Sequence, residues 1–196
     1  MQTLILATKN AGKVREIKDI TGDLCHVLTM TEAGIDIEID ETGTTFTENA
    51  TLKAKAVMEA SGLPAIADDS GLCVDWLQGA PGIYSARYGG VETDEDRYRL
   101  LLQNMRGALN RAAHFHASIV CCFPNGDELT AEGDCFGTIA YAPSGEGGFG
   151  YDPIFFVPEK RKTFSQLTAE EKNEISHRGV ALRDFAAKLE NYMKEN

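Results

Sequence analysis

The stretch TLILATKNAGKV, residues Thr3–Val14, contains the first strand and the start of the first helix, and the class of fold follows from this pair. TLILAT is apolar and of strand length, and no basic leader or small-residue cleavage site accompanies it. We therefore interpret it as a buried strand and not as a signal peptide. Apolar residues at Val14, Ile17, Ile20 and Leu24 then predict a helix.

The middle of the chain continues this mixture of helices and strands. The capping-box pattern Thr45–Glu48 predicts a helix that ends at Gly62, and Thr93–Asp96 begins another. AIADD and LCVDW predict two short strands between these helices. Two extended runs flank Pro124–Asp127, in which Asn-Gly is a strong hairpin signal.

The C-terminal part adds one strand and two helices. PIFFV predicts the strand, Thr168–Glu171 caps a short helix, and apolar residues from Leu182 to Tyr192 mark the last helix. Together these elements predict an α/β fold with a mixed sheet. We expect one domain over residues 1–196, because this length is typical of a single large domain.

Composition excludes several classes of protein. The chain has 43% hydrophobic and 25% charged residues, and its net charge of −11 argues against nucleic acid as a partner. Because no run approaches eighteen uninterrupted apolar residues, we expect no membrane span. The five cysteines are odd in number and show no CxxC spacing, which is typical of buried free thiols in a reducing cytoplasm.

The turn between the first strand and the first helix predicts an anion site. Free backbone N–H groups and the positive end of the helix dipole point outward there, and a lysine adds mobile positive charge. The residues of this turn are Thr8, Lys9, Asn10, Ala11, Gly12 and Lys13. It is not a Walker loop, because the required glycine and Ser/Thr are replaced by Ala7 and Val14. A capped helix with solvated lysines is the alternative.

The glycine-rich stretch Gly145–Gly150 formally matches GxGxxG, but it runs into Tyr151, Asp152 and a strand instead of opening a helix. We therefore reject a dinucleotide site. A glycine-rich loop that carries Phe149 and Tyr151 can approach a flat ligand such as a nucleobase. A flexible hairpin loop is the alternative.

Ser-His-Arg-Gly interrupts the last two helical patterns, which places His177 and Arg178 at the start of a helix. Arginine offers a planar fork of donors, and such a cluster can recognise carbonyl oxygens on a base edge. A surface arginine beside an N-cap serine is the alternative.

In IADDSGL, residues Ile66–Leu72, two carboxylates follow an apolar run. Successive side chains of a strand point to opposite faces, so one of Asp68 and Asp69 can face a site while the other does not. Glu41 and Asp69 are candidate ligands of Mg²⁺, which prefers carboxylate oxygens, and a carboxylate beside the metal can activate water. A turn or cap is the alternative for an adjacent Asp pair.

Five motifs in the same order resemble the inosine triphosphate pyrophosphatase family. They are ATKNAGKVREI, FTENATLKAKA, ADDSGLCVDWLQGAPGIYSARY, GGFGYDPIF and EKNEISHRGVAL. The resemblance runs from Thr3 to beyond Leu182, which is nearly the whole chain. The resemblance implies an elongated two-lobed α/β fold around a long central mixed sheet, with the substrate in the cleft between the lobes. It also implies a homodimer, dependence on Mg²⁺, and hydrolysis of ITP, dITP and XTP to the monophosphate and pyrophosphate, which cleanses the nucleotide pool.

The resemblance also implies roles for residues at matching positions. Thr8 to Lys13 and Lys53 would bind the phosphates, Ser70 would contact the substrate, Glu41 and Asp69 would hold the metal, and Asp69 would be the proton acceptor. The positions that hold the base and nearby groups correspond to Phe149, Gly150, Tyr151, Asp152, Lys172, His177 and Arg178. A non-catalytic purine nucleotide sensor and a nucleotide-dependent phosphotransferase are the rival functions.

Overall fold

The computed structural model describes residues 2–22 and 24–195, and this part of the chain contains one seven-stranded sheet in the order β2-β1-β3-β4-β5-β6-β7. The strands are β1 Gln2–Leu6, β2 Cys25–Thr29, β3 Ala65–Val74, β4 Ala112–Cys122, β5 Glu128–Ile139, β6 Phe155–Val157 and β7 Lys162–Thr163. β1 is parallel to β2 and β3, whereas β6 is antiparallel to β5 and β7. The predicted α/β fold with a mixed sheet is thus confirmed.

Five α-helices occur in the same described residues. They are α1 Ala11–Thr21, α2 Phe46–Ser61, α3 Asp94–Asn104, α4 Ala169–Ile175 and α5 His177–Glu195. None of them combines the length and the apolar character needed to cross a bilayer.

The chain divides into two compact units. The first comprises the residues up to Asp69, Ala117–Gly133 and the residues from Arg178 onward, and the second comprises Ser70–His116 and Asp134–His177. The chain therefore changes unit within β3, β4 and β5 and again at the start of α5.

The core of the first unit lies on both faces of β1, because successive strand residues point to opposite sides. Leu4 and Leu6 are fully buried in a cluster with Ile17 of α1 and with α5 residues such as Phe185. Ile5 is buried in a second cluster, which contains the small residues of α2. Helices therefore cover both faces of this part of the sheet, which explains why TLILAT is apolar throughout.

The core of the second unit is rich in aromatic rings. Phe155 and Phe164 are completely or almost completely buried, and their ring centroids lie 4.8 Å apart. Phe115 of β4 packs on both rings, and Leu101 of α3 belongs to the same cluster. This packing fixes the segment that leads from β7 to α4.

The predicted helix starts are confirmed by their caps. Thr45 accepts a hydrogen bond from the Glu48 N–H at the start of α2, which ends at Gly62 with a left-handed φ of 68°. Thr93 caps α3 in the same way, and Thr168 begins α4 with a full capping box. These signals are local in sequence, which is why they could be identified without the structure.

Several predicted boundaries are wrong. α1 ends at Thr21 and not at Leu24, because the chain turns at Gly22 and the Leu24 N–H donates to the Thr21 carbonyl. AIADD and LCVDW belong to the single strand β3, followed by a 3-10 turn from Asp75.

The other differences concern short strands. In PIFFV only Phe155–Val157 is strand, because Pro153 and Ile154 lie in a 3-10 turn. β2 and β7 were not predicted: β7 has two residues, and β2 is defined by its pairing with β1. The five cysteines are free thiols, as expected, with four buried and Cys73 half-buried.

Candidate active site

The two carboxylates of IADDSGL lie at the end of the part of β3 that belongs to the first unit. Asp68 and Asp69 are both buried, with 1% and 7% of their surface exposed. Burial of an ionised carboxylate is costly unless a cation or hydrogen-bond donors compensate for the lost water. Each aspartate obtains this compensation from different residues.

Asp68 pairs with two cations. Lys13 Nζ contacts Asp68 Oδ1, and Arg178 Nε donates to Asp68 Oδ2 at 2.9 Å. Arg178 also contacts the Glu16 carboxylate of α1. Burial raises the pKa of Asp68, but Arg178 and Lys13 outweigh burial and hold this pKa well below its usual value. Asp68 therefore stays ionised and holds Lys13 and Arg178 in place.

Asp69 pairs with Lys53 of α2. Lys53 Nζ lies 2.7 Å from Asp69 Oδ1 and 2.8 Å from Glu41 Oε1, so one ammonium bridges the two carboxylates. The second oxygen of Asp69, Oδ2, is buried and has no hydrogen-bond partner among the described residues. Asp69 thus presents an acceptor oxygen that the described part of the protein does not use.

This arrangement fits a divalent cation that takes few protein ligands. The described residues contain no group of three or more His, Cys, Asp or Glu side chains placed to hold a metal. Mg²⁺, however, is usually bound by one or two carboxylates together with waters and phosphate oxygens. Glu41 and Asp69 provide two such carboxylates within hydrogen-bond distance of the same ammonium, and Asp69 Oδ2 is unused.

Burial and neighbouring charges change the pKa values of this cluster. Burial raises the pKa of Asp69, because desolvation outweighs the nearby lysines. Burial lowers the pKa of Lys13, despite its pair with Asp68. Burial also acts to lower the pKa of Lys53, but the negative charges of Asp69 and Glu41 outweigh burial, and the pKa of Lys53 is raised.

The predicted anion site lies at the start of α1. Asn10 is the N-cap, and its Oδ1 accepts hydrogen bonds from the Gly12 and Lys13 N–H groups. Asn10 therefore caps the helix, and its side chain occupies the Gly12 and Lys13 N–H groups. Thr8 Oγ1 accepts from the Asn10 N–H, and Lys9 forms an exposed ion pair with Asp36 at 3.2 Å.

The second unit contains most of the residues predicted to hold a base. Asp152 is buried and accepts hydrogen bonds from the Phe149 N–H at 2.9 Å and from Lys172 Nζ at 2.7 Å. The Lys172 ammonium lies 4.7 Å from the centre of the Phe149 ring, a cation–π contact. Asp152 therefore joins the glycine-rich loop to α4 within one unit.

His177 and Arg178 are adjacent in sequence but belong to different units. The His177 ring is 4% exposed and stacks on Phe115 with the ring centroids 4.7 Å apart. Arg178 pairs with Asp68 in the first unit. Ser70, the first residue of the second unit, is half-buried within β3.

Sequence reasoning did not identify three residues of these clusters. Glu16 contacts Arg178. It lies within the motif ATKNAGKVREI, three residues after Lys13 and on the same helix face, and this spacing was the available sequence signal. Phe115 and Phe164 stack on His177, but their only sequence signal was an apolar character shared with the rest of the core.

A mixed sheet with helices, and a buried cluster of lysines and carboxylates beside a strand-to-helix turn of the first unit, define an α/β protein with a charged candidate site. The sequence model of the Ham1 family matches residues 4–188, and the chain belongs to this family. The finding agrees with the resemblance indicated by the five sequence motifs.

Individual relatives cover nearly the whole chain. A dITP/XTP pyrophosphatase of Streptomyces coelicolor is 51% identical over 189 residues, covering 93% of this chain and 94% of the relative. A dITP/XTP pyrophosphatase of Escherichia coli O157:H7 is 49% identical and covers 97% of this chain and 100% of its own. The solved structure of the Staphylococcus aureus Ham1 protein has a TM-score of 0.88 and 42% identity, covering 97% of this chain and 100% of that one.

Proposed function

We propose that this chain is a nucleoside triphosphate pyrophosphatase that hydrolyses ITP, dITP and XTP to the monophosphate and pyrophosphate, and thereby cleanses the nucleotide pool. The observation that carries the proposal is the Glu41–Lys53–Asp69 cluster, in which Asp69 has one buried oxygen with no hydrogen-bond partner in the described part of the chain. Relatives named dITP/XTP pyrophosphatases at 49–51% identity support the same activity.

Glu41 and Asp69 would hold the metal, which we propose to be Mg²⁺. When bound, Mg²⁺ supplies positive charge that offsets the charge of the phosphate oxygens. The carboxylate donor set and the unused Asp69 Oδ2 support this assignment.

Asp69 would accept the proton of the attacking water. The water oxygen forms a bond to the α-phosphorus, and the bond from this phosphorus to the bridging oxygen of pyrophosphate breaks. Burial raises the pKa of Asp69, which makes its carboxylate a better proton acceptor than an exposed one.

The lysines of the first unit would offset the triphosphate charge. Lys13 and Lys53 are held by Asp68 and by the Glu41–Asp69 pair, so their ammonium groups are positioned before substrate binds. The turn from Thr8 to Lys13 would contact phosphate oxygens together with them. Phosphoryl transfer depends mainly on such positioning and charge.

Residues of the second unit, together with Arg178, would hold the base and nearby substrate groups. They are Ser70, Phe149, Gly150, Tyr151, Asp152, Lys172 and His177. Hypoxanthine and xanthine have an acceptor at O6, where adenine has an amino donor. A site lined with donors leaves that amino group unpaired, at ~1–3 kcal/mol for each buried group. The result is roughly tenfold to more than hundredfold rejection of ATP.

The protein would act as a homodimer of single-domain chains in the cytoplasm. The resemblance to the pyrophosphatase family supports the dimer, and the free cysteines support a reducing compartment.

The direct test is to supply purified protein and Mg²⁺ with ITP, XTP, dITP, GTP and ATP in turn and to separate pyrophosphate from orthophosphate. We expect monophosphate and pyrophosphate from ITP, XTP and dITP, little product from ATP and GTP, and no turnover in EDTA. Tight ITP binding without turnover would instead indicate the sensor. Transfer of a phosphoryl group to an added acceptor would indicate the phosphotransferase.

A further inference from the structure

Residues at the end of the glycine-rich loop donate three hydrogen bonds, and the three acceptors lie in different parts of the second unit. The Phe149 N–H donates to Asp152 Oδ2 at 2.9 Å, and the Tyr151 hydroxyl donates to the Ser85 carbonyl at 2.7 Å. The Gly150 N–H donates to Asp94 Oδ2 at 2.7 Å. The Asp94 bond is the one of the three whose acceptor lies outside the five motifs of the sequence.

Asp94 is the first residue of α3 and is separated from Gly150 by 56 residues. Its other oxygen, Oδ1, contacts Arg97 one turn later on the same helix. The Arg97 side chain is only 11% exposed, and its second terminal nitrogen lies within 3.5 Å of the Val91 and Glu92 carbonyls. Arg97 therefore fixes the orientation of the Asp94 carboxylate toward the loop.

Gly150 has a left-handed φ of 61°, a backbone conformation that glycine adopts without strain. A hydrogen bond between an N–H and an ionised carboxylate is stronger than one between neutral groups. The Asp94 bond thus fixes the peptide that separates the two aromatic residues of the loop, Phe149 and Tyr151.

Stabilisation of α3 alone does not account for this geometry. An acid in the first helical turn interacts favourably with the helix dipole wherever its side chain points. Glu95 and Asp96 occupy the same turn, and they pair with Arg99 and Thr93. Asp94, in contrast, joins the helix to the loop.

We propose that Asp94 and Arg97 are positioning residues for base recognition: they hold the Gly150 peptide so that the glycine-rich loop presents Phe149 and Tyr151 to the purine. This inference rests on the proposed function, because it assigns the loop to the base. It adds two residues from the start of α3 to the determinants of substrate affinity.

The test compares Asp94→Ala, Asp94→Asn and the control Glu95→Ala, which breaks the exposed Glu95–Arg99 pair on the same helix turn. Asn keeps one acceptor oxygen for Gly150 and loses the charge that pairs with Arg97. We expect the KM for ITP to rise roughly tenfold in Asp94→Ala, equivalent to about 1.4 kcal/mol, with kcat within about twofold. The rise should be smaller in Asp94→Asn and absent in Glu95→Ala.

Amide hydrogen exchange of the loop peptide is the second readout and does not require turnover. Exchange at residues 148–151 should be faster in Asp94→Ala than in the wild type and unchanged in Glu95→Ala. Unchanged exchange and an unchanged KM in both Asp94 variants would overturn the proposal, and so would equal effects of Glu95→Ala. If Asp94→Ala does not fold, Asp94→Asn decides by the same two measurements.

If the wild type releases no pyrophosphate, the proposed function fails, and faster loop exchange in the Asp94 variants would still show the structural contact.

Discussion

At the residue scale, the two adjacent aspartates pair with different cations of the first unit. Asp68 pairs with Lys13 and Arg178, whereas Asp69 shares Lys53 with Glu41 and has one oxygen without a hydrogen-bond partner among residues 2–22 and 24–195. Strand alternation explains the division, because neighbouring side chains point to opposite faces. We therefore assign the proton transfer to Asp69, and to Asp68 the positioning of Lys13 and Arg178.

Asp69→Asn should remove most turnover and leave the fold intact. The amide cannot accept the proton of water at neutral pH, and loss of a general base typically costs about 10²- to 10⁴-fold in rate. Measurement of kcat for ITP, with circular dichroism as the control for folding, tests this expectation. Asp75→Asn, at an exposed position shortly after β3, is the matched control and should keep full activity. Near-normal kcat in Asp69→Asn would contradict the role of Asp69.

Arg178→Ala should strongly destabilise the protein. The Arg178 and Asp68 side chains are 3% and 0% exposed, so the change leaves a buried carboxylate with less compensation. Loss of one partner of a buried pair typically costs about 3–5 kcal/mol of the free energy of unfolding. Arg99→Ala breaks a pair in which both side chains are more than half exposed, and should lower the free energy of unfolding far less than Arg178→Ala does. Urea unfolding compares the two variants, and equal small losses would show that the buried pair does not stabilise the fold.

At the element scale, local sequence signals predict the helices of this chain more accurately than its strands. Caps such as Thr45 and Thr168 act within three residues, so they were visible in the sequence. β2 and β7 are defined by pairing with β1 and β6, and β3, which lies between β1 and β4 in the sheet, continues through Ser70-Gly71. Short-range patterns do not contain this information.

The turn after β2 should stabilise the protein in a pH-dependent way. Hydrogen bonds from the Thr29 N–H, from Lys18 and from the Thr29 hydroxyl lower the pKa of Glu32 from 4.5 to about 2. A carboxylate whose pKa is depressed by folding stabilises the folded state above its unfolded pKa, and this stabilisation is lost as the pH falls.

Wild type and Glu32→Gln should therefore differ in free energy of unfolding above pH 4.5, and the difference should shrink as the pH falls toward about 2. Urea unfolding at a series of pH values measures it. A difference that does not change between these pH values would show that the Glu32 charge is not involved.

At the scale of the whole molecule, the sequence predicted the fold class and the candidate residues but not their partners. Lys13, Lys53, Asp69 and Lys172 were predicted from five motifs, and their roles stay predictions; the family match confirms the resemblance on which the motifs were chosen. The pairing of Arg178 with Asp68 joins residues 110 positions apart, and that of Asp94 with Gly150 joins residues 56 apart. Such contacts arise only once the sheet is assembled.

In the proposed mechanism, water attacks the α-phosphorus of the nucleotide. A single turnover of ITP in water labelled with oxygen-18, followed by mass spectrometry of both products, tests it most directly. We expect the label in the monophosphate and none in pyrophosphate. Label in pyrophosphate would place the attack at the β-phosphorus and contradict the mechanism assigned to Asp69.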